Sequence, residues 1–276
     1  MTRIGMMQGR LLPPVDNTIY HFPRENWAKE FELAGQAQLD CIEWIYDVYG
    51  ADVNPLATDE GVERINSLAR QNKIQVLSLC ANYFMENLLI RAGSAELEQR
   101  LTALFWLLRQ SQKIGVKRVI LPFLDASRIE TEQERKGVVA LLKRVAPVAE
   151  ETGIDILLES SLEPGRLAGL LAELPFRNMK VNYDTGNSAS LGFDPRVEFE
   201  AYGPRIGSVH IKDRKLGGGT VPLGTGDTDF KAISEELRAI KYTGDFVLEA
   251  ARGTSGDELA WAKQNRAFIQ DHFVTA

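Results

Sequence analysis

Cysteine and histidine are scarce in this chain, with two and three residues among 276. Two cysteines do not make the disulfide framework of a small secreted protein. Both Cys41 and Cys80 fall in segments that read as buried strands, where a thiol serves as a small core hydrophobe rather than as a bridge or nucleophile. Long apolar runs are missing too: charges interrupt every stretch well short of the ~20 residues a membrane span needs. The opening MTRIGMMQGRLLPP lacks the apolar run of a signal peptide, so a cytoplasmic location and no membrane partner are expected. Positive charge is in deficit, 32 basic against 38 acidic residues for a net −6. That balance disfavours nucleic acid and anionic lipid and points to a small-molecule partner. No Gly-x-Gly-x-x-Gly loop follows the first strand-like segment, as a nucleotide-binding open sheet would require. No Ser/Pro-rich linker breaks the chain, whose low-complexity content is confined to the glycines at 217–219, so one domain over residues 1–276 is expected.

What the chain does have is alternation. Hydrophobic residues make up 44% and charged residues 25% of the sequence, enough for a sizeable core. Short strand-like runs alternate with longer helical ones, the pattern of a parallel sheet covered by helices. Strands are predicted at 3–8, 41–44, 74–80, 117–122, 155–159, 180–184, 206–211 and 245–249. Between them, apolar residues recur at helical spacing, as in Trp27, Phe31 and Ala34 or Leu101, Leu104, Phe105 and Leu108. A last helix is expected over 257–272. Gly115, Gly153 and Gly244 stand where a helix would end in a left-handed residue before the next strand. Eight units favour closure into an α/β (β/α)8 barrel, for which roughly 250 residues is typical.

In such a barrel the chemistry sits at the C-terminal ends of the strands. Four consecutive strands there carry polar residues in otherwise apolar runs: IDILLE ends at Glu159, KVNYD at Asp184, GSVHIKD contains His210 and GDFVLE ends at Glu249. An isolated carboxylate in an apolar setting costs several kcal/mol unless compensated. A divalent cation compensates all four at once, and three carboxylates with one imidazole form a hard shell suited to Mn²⁺ or Mg²⁺, with Co²⁺ acceptable. Singly, each residue has a plainer reading: Glu159 or Glu249 could pair with Lys212 or Arg252, and Asp184 could cap the helix begun by DTGNSA. His21 and His272 are not expected to be ligands. Arg10, Lys212, Arg214 and Arg252 could bind a substrate phosphate near the seventh and eighth strands, or simply be surface charges. Glu43, Trp44, Asn82 and Tyr83 are placed to line the pocket, with core packing the plainer role for the aromatics. The 217–219 glycines could form a lid or an ordinary flexible loop.

LLES at 157–160, YDTGNSASLGFDP at 183–195, IGSVHIKDR at 206–214, PLGTGDTDF at 222–230 and KYTGDFVLE at 241–249 together resemble the xylose-isomerase-like TIM-barrel superfamily of sugar isomerases and epimerases. That superfamily includes the ketose 3-epimerases and L-ribulose-5-phosphate 3-epimerases. The resemblance implies one divalent metal on Glu159, Asp184, His210 and Glu249, Mn²⁺ first, with Mg²⁺, Co²⁺ or Zn²⁺ as alternatives. It implies a sugar or sugar-phosphate substrate, Glu159 and Glu249 as an acid/base pair acting through an enediolate, and assembly into a homo-oligomer. Many ketose 3-epimerases carry a substrate-binding histidine three residues after the metal-binding aspartate; here the position is Asn187, which can hydrogen-bond a sugar but cannot carry a proton as imidazole does. An inosose-dehydratase-like lyase and a non-catalytic metal- or sugar-binding barrel are the competing readings. A nuclease of the endonuclease IV type would need more histidines and a basic groove.

Overall fold

The computed structural model describes residues 2–14, 21–253 and 255–274. Among the described residues the strands are β1 (Ile4–Met7), β2 (Cys41–Ile45), β3 (Gln75–Cys80), β4 (Arg118–Phe123), β5 (Asp155–Ser160), β6 (Met179–Asp184), β7 (Ile206–Ile211), β8 (Asp213–Arg214), β9 (Thr220–Val221) and β10 (Phe246–Leu248). Among the described residues the α-helices are α1 (Lys29–Gln36), α2 (Asp59–Asn72), α3 (Tyr83–Glu86), α4 (Ser94–Lys113), α5 (Glu132–Thr152), α6 (Pro164–Ala172), α7 (Thr185–Leu191), α8 (Pro195–Tyr202), α9 (Phe230–Ala239) and α10 (Glu258–Ile269). Eight parallel strands close into a barrel in the order β1-β10-β7-β6-β5-β4-β3-β2, with β1 paired to both β2 and β10. The expected (β/α)8 barrel is therefore the observed fold, and an antiparallel hairpin, β8–β9, is added after the seventh barrel strand.

The strands form because nearly every residue in them is buried, on one side by the barrel interior and on the other by helices. Helix ends follow local chemistry. At the start of α5, Thr131 Oγ1 accepts from Glu134 N while Glu134 Oε2 accepts from Thr131 N, and the helix stops at Gly153 with φ 66°. Gly115 is left-handed as predicted, at φ 86°. Gly244 is not: the left-handed residue after α9 is Lys241, with φ 56°. Helix α9 finishes at Ala239, so the turn precedes Tyr242-Thr243-Gly244. Two irregularities matter for the site. Pairing of β2 with β3 skips Leu77, so Glu43 faces Ser78; pairing of β6 with β7 skips Gly207, so Asn182 faces Ser208 and Asp184 faces His210. An extra residue of this kind re-aims the side chains beyond it. Strand β10 ends at Leu248, leaving Glu249 just past it rather than inside. Both cysteines are free and buried. No helix among the described residues is long and apolar enough to cross a membrane.

Candidate metal centre

Strands β5, β6, β7 and β10 are neighbours in the barrel, and their C-terminal ends converge. They bring together Glu159, Asp184, His210 and Glu249, each buried and each offering a ligand atom, all within 4.8 Å of one another. Nδ1 of His210 lies 2.9 Å from Glu249 Oε2 and 3.8 Å from Glu159 Oε2. Asp184 divides its labour: Oδ1 accepts from Asn187 N at 2.8 Å and so caps α7, while Oδ2 stays with the cluster, 3.5 Å from Lys212 Nζ. Capping and a ligand role are thus compatible in one carboxylate.

Three carboxylates at this separation cannot all be ionised in a buried space without compensation. Burial, opposed by His210, pushes Glu159 up to about 8. Burial also raises Asp184, with Lys212 pulling against it. Glu249 moves the other way: burial would raise it, but Lys212 and His210 outweigh that and hold it well below the usual carboxylate range. On His210, burial favours the neutral ring, yet Glu43 and Glu249 prevail and keep its pKa well above the ordinary value. A divalent cation would replace these protons as counter-charge, and the donor set, hard oxygens with one imidazole nitrogen, fits such an ion.

The other predicted residues separate into two groups. Asn187 joins the site, its Nδ2 donating to Glu159 Oε1 at 2.9 Å, with Asn182 Nδ2 donating to Oε2 at 2.9 Å. Arg214 stands behind it, NH1 donating to Asn187 Oδ1 at 2.9 Å and NH2 to Gly218 O at 2.7 Å. Lys212 enters the cluster itself, its Nζ 2.6 Å from Glu249 Oε1. Gly186 makes room for it, since a Cβ there would stand 2.8 Å from Lys212 Cγ. Arg10 is buried with its guanidinium 3.8 Å from Glu249 Oε1. Arg252 lies outside the cluster: its guanidinium donates to the backbone carbonyls of Gly9 and Leu12 and faces Glu258 at 3.7 Å.

Trp44 does not line the pocket. Fully buried, it packs against Phe22, Trp27 and Phe31 and donates to Asn54 Oδ1 at 3.2 Å. His21 stacks on Tyr49 and His272 on Phe268, away from the metal-type ligands. The 217–219 glycines turn the β8–β9 hairpin, which is tied down by Gly217 N donating to Ser190 O at 2.8 Å. Asp213 was not singled out in the sequence, although its place three residues after His210 was visible. Its carboxylate accepts from Gly224 N, Gly226 N and Thr228 N at 2.9, 2.8 and 3.2 Å, fixing the PLGTGDTDF loop beside the site.

Comparison with known proteins gives a consistent picture. The family described as xylose isomerase-like TIM barrel matches residues 31–272. L-ribulose-5-phosphate 3-epimerase UlaE of Escherichia coli (strain K12 / DH10B) is 23% identical over 261 residues, 91% of this chain and 92% of that protein. Inosose dehydratase of Clostridium tetani (strain Massachusetts / E88) is 27% identical over 175 residues, 54% of this chain and 58% of the other. Among solved structures, an L-ribulose 3-epimerase superposes with TM-score 0.79 at 20% identity, covering 100% of this chain and 95% of that one. The IolI protein with a bound zinc atom superposes with TM-score 0.78 at 17% identity, covering 99% and 100%. Likeness at these structural identities carries the fold alone.

Proposed function

The chain belongs to the xylose isomerase-like TIM barrel family, and from that premise we propose that it is a divalent-metal-dependent epimerase or isomerase of a ketose or ketose phosphate. The observation that carries this reading is the buried set Glu159, Asp184, His210 and Glu249, whose ligand atoms lie within 4.8 Å of one another. Mn²⁺ suits that shell best, with Mg²⁺, Co²⁺ and Zn²⁺ as alternatives; zinc is the ion in the IolI structure. A cation held there would act as a Lewis acid on a substrate ketone, supplying several kcal/mol of stabilisation to the developing enediolate. The chain's own residues then do the proton chemistry. Glu249, beside Lys212 and Arg10, is suited to take a proton as a carboxylate. Glu159, oriented by the amides of Asn182 and Asn187, is suited to hold and return one. Paired groups of this kind contribute about 10²–10⁴-fold each.

The likeness to an inosose dehydratase, at somewhat higher identity over a shorter span, supports a second reading in which the same proton is removed and a β-hydroxyl leaves. One experiment separates the two. Purified wild type and Glu249→Gln are assayed for metal content, then incubated in D₂O with a panel of ketoses and ketose phosphates followed by NMR. Deuterium entering at the α-carbon with the sugar otherwise intact, and lost in the variant, is the expected result. Loss of a hydroxyl with formation of an enol or diketone selects the dehydratase, and a wild type that takes up no metal even from added Mn²⁺ removes the four-ligand site.

A further inference from the structure

Glu43 is a buried carboxylate that the proton chemistry above leaves unused. It lies in the middle of β2, CIEWI. Its neighbour Trp44 faces the helix layer, so strand alternation turns Glu43 into the barrel lumen. The skipped residue Leu77 sets Ser78 opposite it, and Ser78 Oγ donates to Glu43 Oε2 at 2.7 Å. The second oxygen, Oε1, lies 2.9 Å from Nε2 of His210, an ion-pair contact without hydrogen-bond alignment, and neither atom has another hydrogen-bond partner among the described residues. Strands β2 and β7 are three steps apart around the barrel, so this contact crosses the lumen, and both side chains are 0% exposed. The imidazole therefore has one nitrogen against Glu43 and the other, Nδ1, toward Glu159 and Glu249.

We propose that Glu43 is the positioning residue of the metal centre: anchored by Ser78, its carboxylate faces Nε2 of His210, favours the proton on that nitrogen and so presents the Nδ1 lone pair to the cation. The inference rests on the reading of the cluster as a metal site. An imidazole without such a partner can rotate its ring and exchange tautomers, presenting a C–H or N–H where a lone pair is required. A carboxylate hydrogen-bonded through its far oxygen holds the ring against both. Having no exposure to the cleft, Glu43 touches no substrate and acts only through His210.

The test compares EDTA-stripped wild type with Glu43→Met, which keeps volume without an acceptor, and Glu43→Gln, which keeps a carbonyl. Mn²⁺ affinity is read by calorimetry and the His210 tautomer by ¹⁵N NMR of the Zn²⁺-loaded protein. Affinity in Glu43→Met is expected to fall about 10–100-fold, the usual effect of removing such an outer partner, with Glu43→Gln recovering part of it. Wild-type His210 should show Nε2–H and a metal-bound Nδ1. Wild-type affinity in Glu43→Met, or Glu43→Gln as weak as Glu43→Met, overturns the orienting role. Should Glu43→Met not fold, Ser78→Ala carries the test through a smaller loss of affinity. A wild type that binds no Mn²⁺ defeats the metal reading and this inference with it, whereas binding kept in both Glu43→Met and Ser78→Ala defeats this inference alone.

Discussion

Lys212 carries its ammonium into the shell of carboxylates that a divalent ion would occupy, 2.6 Å from Glu249 and 3.5 Å from Asp184. Removing one member of a buried pair strands the other, at a cost of about 3–5 kcal/mol. Lys212→Met is accordingly expected to destabilise the metal-free protein by that amount and the Mn²⁺-loaded protein by much less, because the ion then compensates Glu249. Urea unfolding in EDTA and in Mn²⁺ measures both, and equal losses in the two conditions would show that Lys212 and the ion do not serve the same carboxylates. The position of Lys212 was within reach of sequence reasoning: two residues after His210, it shares that residue's face of the chain. Pairing with Glu249 and binding of a substrate phosphate were both open for it from the sequence, and its ammonium lies 2.6 Å from Glu249.

At the scale of the element, the segment after β1 delivers Arg10 to Glu249, and the buried Glu30 and the half-buried Arg252 hold it. Glu30, on α1, accepts from Gly9 N at 2.7 Å and Leu11 N at 3.4 Å, while Arg252 donates to the carbonyls of Gly9 and Leu12. Glu30→Ala leaves those amides unsatisfied and should cost about 1–3 kcal/mol. Burial, against the pull of the Gly9 and Leu11 amides, pushes Glu30 up to about 8 from an ordinary 4.5. Between those values the folded chain retains a proton that the unfolded chain has lost. The contribution of Glu30 is therefore fully present below about pH 4.5 and is lost as pH rises through about 8. Glu30→Gln, which does not titrate, should flatten the fall in metal-free stability across that window, as measured by chemical denaturation at successive pH values. An unchanged slope would mean that Glu30 is not the group responsible. Neither anchor was legible in the sequence, since Glu30 and Arg252 belong to distant parts of the chain and meet only because β10 pairs with β1.

For the molecule as a whole, the metal-free centre stores repulsion that protons relieve, with Glu159 at about 8 and His210 held in its charged form. Metal uptake is expected to release protons and to tighten as pH rises, visible as buffer-dependent heats in calorimetry. Saturating Mn²⁺ at about 100 times its dissociation constant should add about 2.7 kcal/mol, raising Tm by roughly 5–10 °C, with EDTA reversing the shift. A Tm indifferent to Mn²⁺ would count against the site. What the amino-acid order by itself determined is the closed barrel and the candidates Glu159, Asp184, His210 and Glu249. Buried strands read as apolar runs, and a carboxylate or histidine near the end of such a run stands out wherever the chain is cut. Only closure decided the rest: that Glu43 meets His210 across the lumen, that Arg10 and Lys212 converge on Glu249, and that Arg252 turns to the backbone. These contacts join strands far apart in sequence, and they depend on register, skipped residues and the direction of each side chain, which local propensity and periodicity do not encode.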